Sequence, residues 1–476
     1  MPEFRQKLFT GGIAESVNLG IENSFYDAVG INIHSKPGLI YANQAMAKNS
    51  GSTITDLCNF AILSSGGSTF WFGDSGKIYK RTSAGVWSNV YTDSNGAILG
   101  AAEYDGYIYW ATATRLGRQT TSLAESEASW SSQNNAWQTI TSSSWHPMLV
   151  QGLYLYVGNH RTIASVDDAG TFTSAGTPDV TLAALEHNLR IKCLNKFGID
   201  ILVGTETIDG DNKAKIKRWD TTSPTYNSDD DIAETGINII INTVDNYTFC
   251  QAGGTGNLYY YNGKELELSK TIQGDYANKL MTINPGSQCT FQGLSLFGIS
   301  NSSSNPLNQG AWSLGRHDKN FPYVPNLEYP TSVGNLTGVT IGALMGYGNN
   351  LFMAWKDTTG STTYGVDAIN WSAKYASAYL ITLAIKSNRE KRKTWKKYVA
   401  SYKSLPTSTA IVLSYLKNYG SAVALTSKTD STWQKEYAEQ QIDAGVMQLK
   451  CALTISSNNS PEIEELYMFL DEQETL

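Results

Sequence analysis

The chain has 476 residues, of which 17% are charged and 11% are aromatic. This composition excludes a disordered chain, which would be poor in aromatic residues and rich in charge. It also argues against a coiled coil, which would be rich in Ala, Glu, Lys and Leu. The net charge of −7 gives no electrostatic reason for the whole chain to bind nucleic acid or a membrane surface. Abundant Tyr, Trp, Thr, Val, Ile and Gly predict an all-β protein of strands joined by tight turns.

The chain shows no targeting or cross-linking signal. No apolar run is long enough to predict a membrane span, and the first residues lack the apolar stretch of a secretory signal. The five cysteines are widely spaced, without a CxxC motif. They favour small buried hydrophobic residues in a reducing environment over a disulfide framework or a zinc site.

Residues 1–54 do not fit the repeat that follows them. We interpret them as an N-terminal arm. It packs on the rest of the chain, contributes a strand that closes a ring, or contacts another subunit, and the sequence leaves these alternatives open.

Residues 55–372 contain a weak repeat of short aromatic and aliphatic strands separated by polar or glycine-containing turns. One apolar residue can be aligned in each copy, at intervals of 37 to 55 residues. The aligned residues are Phe70, Tyr107, Tyr154, Ile201, Phe249, Leu296 and Leu351. This period is typical of a propeller blade with four strands. The sequence therefore predicts a β-propeller of about seven blades; the alternative is a β-sandwich array whose hairpins are evenly spaced.

Two features inside the repeat lead to specific expectations. In residues 107–112, alternate side chains point in opposite directions and both faces are apolar, as expected for sheets that stack on neighbouring sheets. The acidic segment 223–236 is interpreted as an exposed loop between blades.

Residues 373–476 carry several short strand patterns and no repeat. Residues 409–428 resemble a hairpin around Asn418-Tyr419-Gly420, and residues 445–470 resemble two strands joined by a polar turn. We therefore expect a separate C-terminal β-sandwich of jelly-roll type.

A basic cluster near residue 390 is the most prominent group of charges, with Trp395 and Tyr398 interleaved. Its candidate contact residues are Lys391, Arg392, Lys393, Lys396 and Lys397. Three interpretations are open: phosphate contacts with stacking aromatics, a solvated loop leading into an edge strand where lysine blocks unwanted pairing, and a contact with an acidic neighbouring subunit. We predict that these five residues contact a partner.

Three tryptophans, Trp130, Trp137 and Trp145, lie in or beside a stretch rich in Ser, Gln and Asn. Exposed aromatic rings can bind sugars or proteins. The stretch is thus a possible contact loop, although tryptophans in such repeats also form the core.

The sequence offers no motif for catalysis. It has no GxSxG elbow, no HExxH, no P-loop and no GxGxxG that opens a helix. Residues 165–172 approximate the Asp-box turn of sialidase propellers, but with an extra residue and Phe172 in place of Trp. We expect a non-enzymatic protein with no catalytic, cofactor-binding or metal site, and no cofactor.

Several segments resemble the β-propeller virion proteins of tailed bacteriophages, of the tail nozzle, hub or tail-tip type. These are the opening segment 9–40 with its Pro37-Gly38-Leu39 turn, the hairpin 76–87, and the C-terminal patterns after residue 391. The resemblance is diffuse but covers most of the chain.

The resemblance implies a structural tail component, assembled in the host bacterial cytoplasm and located in the virion. Such a protein forms a homo-oligomeric ring on the tail axis, six-fold for a nozzle. It helps to close or guide the DNA exit channel, which DNA passes only in transit. Its partners are an adaptor, a tube protein or fibres.

Two alternatives belong to other classes of function. One is a host-surface adhesin or carbohydrate-binding propeller of the virion, which would bind a glycan or receptor. The other is a polysaccharide hydrolase, which requires two convergent carboxyl groups.

Overall fold

The computed structural model describes residues 3–36, 38–272, 281–301, 308–315, 323–386, 392–425, 427–430 and 435–473. In these ranges the chain forms 41 strands and one short helix, which confirms the all-β class. Within the same ranges, no helix is long and apolar enough to cross a membrane.

The first five strands are distributed over different parts of the molecule. They are β1 (Glu3–Gln6), β2 (Phe25–Val29), β3 (Ile31–Asn32), β4 (Tyr41–Ala42) and β5 (Gln44–Lys48). Strands β3 and β4 pair with each other, whereas β1, β2 and β5 join sheets whose other strands come from much later in the sequence.

The next part of the chain forms consecutive four-stranded antiparallel sheets. Sheet 1 contains β6 (Cys58–Leu63), β7 (Thr69–Gly73), β8 (Lys77–Arg81) and β9 (Trp87–Thr92). Sheet 2 contains β10 (Gly100–Tyr104), β11 (Tyr107–Ala111), β12 (Arg115–Thr120) and β13 (Asn134–Thr139), with helix α1 (Thr121–Ser126) before β13. Sheet 3 contains β14 (Met148–Gln151), β15 (Tyr154–Asn159), β16 (Thr162–Asp167) and β17 (Phe172–Thr173).

Four further sheets follow with the same order. Sheet 4 contains β18 (Leu189–Phe197), β19 (Asp200–Thr207), β20 (Ala214–Trp219) and β21 (Ser228–Ile232). Sheet 5 contains β22 (Ile237–Asn242), β23 (Thr248–Ala252), β24 (Asn257–Tyr261) and β25 (Leu266–Thr271). Sheet 6 contains β26 (Gln288–Phe291), β27 (Leu294–Ile299), β28 (Gly310–Ser313) and β29 (Asn326–Tyr329). Sheet 7 contains β30 (Val339–Tyr347), β31 (Asn350–Asp357) and β32 (Thr363–Lys374), and is completed by β5.

The seven sheets form a closed, propeller-like ring. The first strand of a sheet contacts the first strand of the next sheet around most of the circle, and β30 of sheet 7 contacts β6 of sheet 1. Sheets 5 and 6 are joined where the Ser295 hydroxyl donates a hydrogen bond to the Asn242 carbonyl (3.4 Å). Each of the seven residues aligned in the sequence repeat lies in the second strand of one sheet.

Strand alternation explains why neighbouring sheets pack together. In β11, Ile108 and Trp110 lie in a core shared with sheet 1. Tyr109 and Ala111 point the other way, into a core shared with sheet 3. Both faces of the sheet are therefore buried against neighbours, which is the arrangement that apolar residues at successive positions require.

Strand β5 closes the ring from the N-terminal side. It pairs antiparallel with β32, with Met46 opposite Ile369. Both side chains are buried in the core between sheets 6 and 7. The Val366 amide also donates to the Ser50 hydroxyl (3.0 Å), across 316 residues of sequence. The last sheet is thus held to the beginning of the chain.

The remaining strands form two further sheets. They are β33 (Tyr379–Thr382), β34 (Ile385–Lys386), β35 (Arg392–Tyr402), β36 (Ala410–Lys417), β37 (Ala422–Ala424), β38 (Ser427–Asp430), β39 (Lys435–Asp443), β40 (Val446–Thr454) and β41 (Ile463–Gln473). One sheet has the order β1-β41-β35-β39-β38, and the other has the order β2-β33-β40-β36-β37, with β34 also paired to β40. We call them the C-terminal sheets.

The C-terminal sheets share one core with each other and with sheets 5 and 6. The N-terminal segment connects these parts, because the Gly30 amide donates to the Leu327 carbonyl (3.2 Å) at the outer strand of sheet 6. Residues 1–54 therefore contribute strands to both regions of the molecule.

One sequence interpretation is wrong in detail. Residues 228–232, expected in an exposed loop, form strand β21, because Asp229 and Asp231 lie opposite Lys217 and Lys215 of β20. Cross-strand ion pairs of opposite charge stabilise such a pairing. The cysteines, in contrast, lie inside the protein as predicted: four of the five are buried and Cys289 is partly buried.

Candidate functional site: the turn face of the ring

The three candidate tryptophans pack against neighbouring aromatic rings. Trp130 is buried, with its ring 5.5 Å from Trp110 and 5.7 Å from Phe70. A contact-loop role for Trp130 is wrong, since its ring fills the core between sheets 1 and 2.

Trp137 and Trp145 are only partly buried. The Trp137 ring lies under the Arg118 guanidinium, 4.1 Å from ring centroid to Cζ, and 5.6 Å from Tyr109. Trp145 packs edge-on against Phe60 at 6.0 Å. A contact through their exposed edges stays a prediction.

The basic cluster lies on a central strand. Lys391 is outside the described residues, and of Arg392 and Lys393 the structure describes the strand only. Strand β35 lies between β41 and β39, so the interpretation of a solvated loop leading into an edge strand is wrong.

The aromatics interleaved with the cluster point inwards. Trp395 and Tyr398 are fully buried, so they offer no stacking surface to nucleic acid bases. Lys397 is exposed and Lys396 partly so, and their role in a partner contact stays a prediction.

Several buried carboxylates are engaged by neighbouring donors. The Trp110 indole donates to Asp93 (2.7 Å). The Trp355 indole and the Ser332 hydroxyl donate to Asp367 (2.7 Å each). Burial raises the pKa of Asp367, and these hydrogen bonds oppose that effect only in part. Such carboxylates fix loops to the buried tryptophans of the ring.

One pair of carboxyl groups has the electrostatic pattern that a glycoside hydrolase would need. Burial, and then the charge of Asp56, raise the pKa of Asp74. However, Asp56 is buried and accepts hydrogen bonds from Ser75 (2.6 Å) and from Tyr79. Asp74 accepts from the Leu57 amide (3.2 Å). These bonds connect the ends of strands in sheet 1. We therefore assign the Asp56–Asp74 pair a structural role in that sheet.

A buried polar cluster that sequence reasoning missed joins the N-terminal segment to sheet 6. Glu328 is 1% exposed and lies 3.0 Å from His34. It also accepts hydrogen bonds from Ser313 (2.8 Å) and Asn326 (2.8 Å). Burial alone would raise the pKa of Glu328, but His34 and the hydrogen bonds outweigh it and lower that pKa. No local pattern could reveal this pair, because its members are almost 300 residues apart.

In the described ranges, no three or more His, Cys, Asp or Glu side chains converge in a group that could hold a metal ion.

A more extended feature is the set of turns between the first and second strand of each ring sheet, which we call the turn face. It comprises residues 64–68, 105–106, 152–153, 198–199, 243–247, 292–293 and 348–349.

Hydrogen bonds link successive members of the turn face or the strand ends beside them. The Ser65 hydroxyl donates to Glu103 (2.5 Å), and the Tyr104 hydroxyl donates to the Leu153 carbonyl. Gln151 donates to the Asp200 carbonyl (3.2 Å). These bonds join sheets 1, 2, 3 and 4.

The next sheet is linked in the same way. The Asn242 amide of sheet 5 donates to the Lys196 carbonyl of sheet 4 (2.6 Å). The turns of consecutive sheets therefore form one continuous, mutually braced surface.

Exposed apolar side chains project from this surface in three consecutive sheets. Leu153 is 67% exposed, Ile199 is 86% exposed and Val244 is 57% exposed. Leu153 and Ile199 each follow a glycine with positive φ, Gly152 at 60° and Gly198 at 61°. Glycine at the first central position suits a two-residue hairpin turn and leaves the next side chain at the tip.

Carboxylates lie near two of the three apolar tips, Leu153 and Val244. Asp105 and Asp245 lie in the turns themselves. Burial raises the pKa of Tyr104 to about 12, with the charges of Asp168 and Asp105 adding to that shift, so these acids lie close to the Tyr104 hydroxyl. An apolar patch with charged neighbours on rigid turns is suited to binding another protein surface.

Comparisons with known proteins leave the identity of the chain open. No family model and no curated protein matches it. Among solved structures, it is similar to the extracellular domain of BT4673 from B. thetaiotaomicron, with a TM-score of 0.45, 11% identity, and coverage of 84% of this chain and 47% of that one. The chain thus spans about half the length of that structure.

Two shorter structures are matched over most of their own length. The Dos1 propeller is matched with a TM-score of 0.44 and 10% identity, over 76% of this chain and 94% of that one. YCF48 bound to D1 peptide is matched with a TM-score of 0.45 and 8% identity, over 69% and 97%. At such scores and identities neither the fold nor the function of these proteins transfers to this chain, and the architecture given above comes from its own strand pairing.

Proposed function

We propose that this chain is a non-enzymatic structural subunit of a bacteriophage tail, of the nozzle, hub or tail-tip type. In this proposal the seven ring sheets are the blades of one seven-bladed propeller, and the C-terminal sheets form a β-sandwich. The assignment to a phage tail is supported by the sequence resemblance alone. The docking role is supported by the turn face.

The observation that carries the docking role is the exposure of Leu153, Ile199 and Val244 on braced turns of neighbouring sheets. Exposed apolar side chains that stand close together mark interaction sites more often than scattered ones do. Because glycine turns and hydrogen bonds hold these tips in place, little conformational entropy is lost when they bind.

A second copy of the chain is the partner that we propose for this surface. The turn face carries Asp105 and Asp245, and Asp168 lies near the Tyr104 hydroxyl beside it, whereas β35 carries Lys396 and Lys397 on a different part of the molecule. Charge complementarity between two different surfaces of the same chain gives a head-to-tail contact, and such contacts generate rings when the rotation closes. A ring of subunits on the tail axis would guide DNA during exit.

The proposal is tested by measuring the assembly of a double variant, Leu153→Asp with Ile199→Asp, in which two of the three apolar tips become acidic. We expect the unaltered chain to form rings, alone or with a tail partner, and the variant to associate at least tenfold more weakly. Light scattering with size-exclusion chromatography and negative-stain imaging measure this. Ile208→Asp is the matched control, because Ile208 is also exposed but lies between the second and third strands of sheet 4.

Other results would contradict the proposal. An unaltered chain that stays monomeric with every tail partner would favour the adhesin or carbohydrate-binding alternative, and glycan arrays would follow. Release of reducing ends from a polysaccharide would show that the chain is an enzyme.

A further inference from the structure

A polar groove lies where the ring meets the C-terminal sheets. Two adjoining cavities of about 340 and 520 Å³ share Pro406, Ser460 and Glu462 in their walls. Residues from β4, β5 and the end of β32 form one side, and residues 403–406 and 458–462 form the other.

The two sides of the groove are fixed to each other. The Ala42 amide donates to the Ser460 hydroxyl (3.0 Å), and the Lys374 amide donates to the Ser457 carbonyl (2.9 Å). Ile40 and Ile463 exchange backbone hydrogen bonds of 3.0 and 2.9 Å. The groove is therefore a preformed feature, and binding in it requires no movement of the two regions.

Positive charge prevails in the groove. Lys36, Lys374 and Lys403 face a single carboxylate, Glu462. Glu462 pairs with Lys36 and, at 3.1 Å, with Lys403. Burial alone would raise the pKa of Glu462, but these two lysines lower it overall.

Lys374 is the lysine of the groove that forms no ion pair with Glu462. No carboxylate of the described residues forms an ion pair with it, and its ammonium lies 5.1 Å from the centroid of the Tyr41 ring. The Lys36 ammonium lies at the same distance from that ring. Burial, followed by the charge of Lys36, lowers the pKa of Lys374. Two lysines whose ammonium groups contact the same tyrosine ring, and whose charges repel each other, favour a bound anion.

The groove also holds an acceptor with no partner. The Gln44 side-chain oxygen is buried and accepts no hydrogen bond from the described residues, while its amide nitrogen donates to the Trp371 carbonyl (3.4 Å). Because this oxygen has almost no solvent-accessible surface, a ligand in the preformed groove does not reach it. Asn458 and Asn459 add exposed amides at the rim.

We propose that this groove binds an acidic saccharide, with its carboxylate or phosphate group between Lys374 and Lys36 and its hydroxyl groups at the Asn458 and Asn459 amides. Apart from Pro406 and Tyr41, whose ring already contacts the ammonium groups of Lys36 and Lys374, the walls contain no large apolar side chain. The combination of cations and exposed amides matches a ligand that carries both an oxyanion and several hydroxyl groups. This site is independent of the turn face and of any assignment to a phage.

The experiment is calorimetric titration of the full chain with five probes: trigalacturonic acid, glucose 6-phosphate, inorganic phosphate, maltotriose and triglutamate. We expect at least one of the two acidic sugars to bind at least tenfold more tightly than the other three probes. Its identity distinguishes a carboxylate source from a phosphate source. Equal affinity for inorganic phosphate, maltotriose or triglutamate, or no binding of either acidic sugar, would overturn the proposal.

Variants locate the binding. Lys374→Gln should weaken acidic-sugar binding at least tenfold, and Lys36→Gln, at a more exposed position, should weaken it severalfold even if the first variant folds poorly. Glu462→Gln should strengthen binding a few-fold by removing the competing carboxylate, an effect that a purely structural role would not produce. Lys356→Gln is the matched control, because Lys356 also lies over a tyrosine ring, 5.7 Å from Tyr364, but outside the groove. Wild-type affinity in both Lys374→Gln and Lys36→Gln would contradict the site.

Discussion

The ring and the C-terminal sheets are built from strands of similar length, but they are connected in opposite ways. In sheets 1–6, each sheet takes four consecutive strands from one stretch of sequence. Each C-terminal sheet instead combines strands from both ends of the described chain, such as β1 beside β41 and β2 beside β33. Local pairing makes the ring modular, whereas interleaved pairing makes the C-terminal sheets depend on distant segments.

This difference predicts which parts of the molecule are destabilised when a buried side chain is removed. Removing a buried side chain from sheet 2 should disturb that sheet and its two neighbours, because the two cores of sheet 2 are separate from those farther around the circle. A defect in the C-terminal sheets should reach the N-terminal strands, because all of them share a single core.

The largest effect should come from Trp395→Ala in β35. Trp395 is fully buried in the shared core, and loss of a buried tryptophan costs about 4 kcal/mol. Hydrogen exchange should accelerate in β35 and also in β1, which is remote in sequence. The matched variant Trp110→Ala should cost a similar amount but accelerate exchange only in sheets 1 to 3. If hydrogen exchange accelerated in equally distant parts of the chain in both variants, the proposed difference between the ring and the C-terminal sheets would be wrong.

The next effect concerns sheet 7, the ring sheet whose fourth strand, β5, comes from a distant part of the sequence. Met46→Ala in β5 should lower the free energy of unfolding by about 3 kcal/mol, since Met46 is buried between sheets 6 and 7. Chemical denaturation measures the loss, and hydrogen exchange should show that β32 opens first. Val86→Ala, at an exposed site, should change the stability by less than about 0.5 kcal/mol. A Met46→Ala protein as stable as the control would mean that β5 does not hold the ring closed.

The smallest effect concerns the clasp between the N-terminal segment and sheet 6. Glu328→Gln should cost about 2 kcal/mol near neutral pH, the scale of hydrogen bonds to a charged group. Because the folded-state pKa of Glu328 lies below its ordinary value, its contribution is fully present above roughly pH 4.3 and is lost as the pH falls through that lowered value. The stability gap between the two proteins should therefore narrow in acid.

Denaturation curves from pH 7 down to pH 3 measure that gap. Glu267→Gln, at an exposed position, provides the control and should show no such narrowing. A gap that is constant with pH would mean that the Glu328 charge does not stabilise the fold.

The sequence was sufficient for features that depend on neighbouring residues. Alternation in residues 107–112 predicted two apolar faces, and the structure places Ile108 and Tyr109 in different cores. The aligned residues from Phe70 to Leu351 lie in equivalent strands because each repeat is a local unit. Polar or glycine-containing turns between the strands were likewise predicted, although the exposure of Leu153 and Ile199 in two of these turns depends on the ring.

What the sequence could not show depends on distant partners. Asp229 and Asp231 suggested a loop until their position opposite Lys217 and Lys215 was known. Trp130 looked available for a contact, but its burial depends on Phe70 of another sheet. The groove could not be predicted at all, because Lys36, Lys374 and Lys403 come from three separate segments.

The pairing of β5 with β32 has a consequence for synthesis on the ribosome. Strand β5 emerges long before its partner, and at roughly 5–20 residues per second the interval is about 15 to 60 s. During that time six sheets can form while β5 and the open side of sheet 1 have no neighbour. An unpaired strand is a template for pairing with another chain. Crowded ribosomes on one message would therefore favour exchange of β5 between nascent chains, and slow initiation would favour closure within one chain.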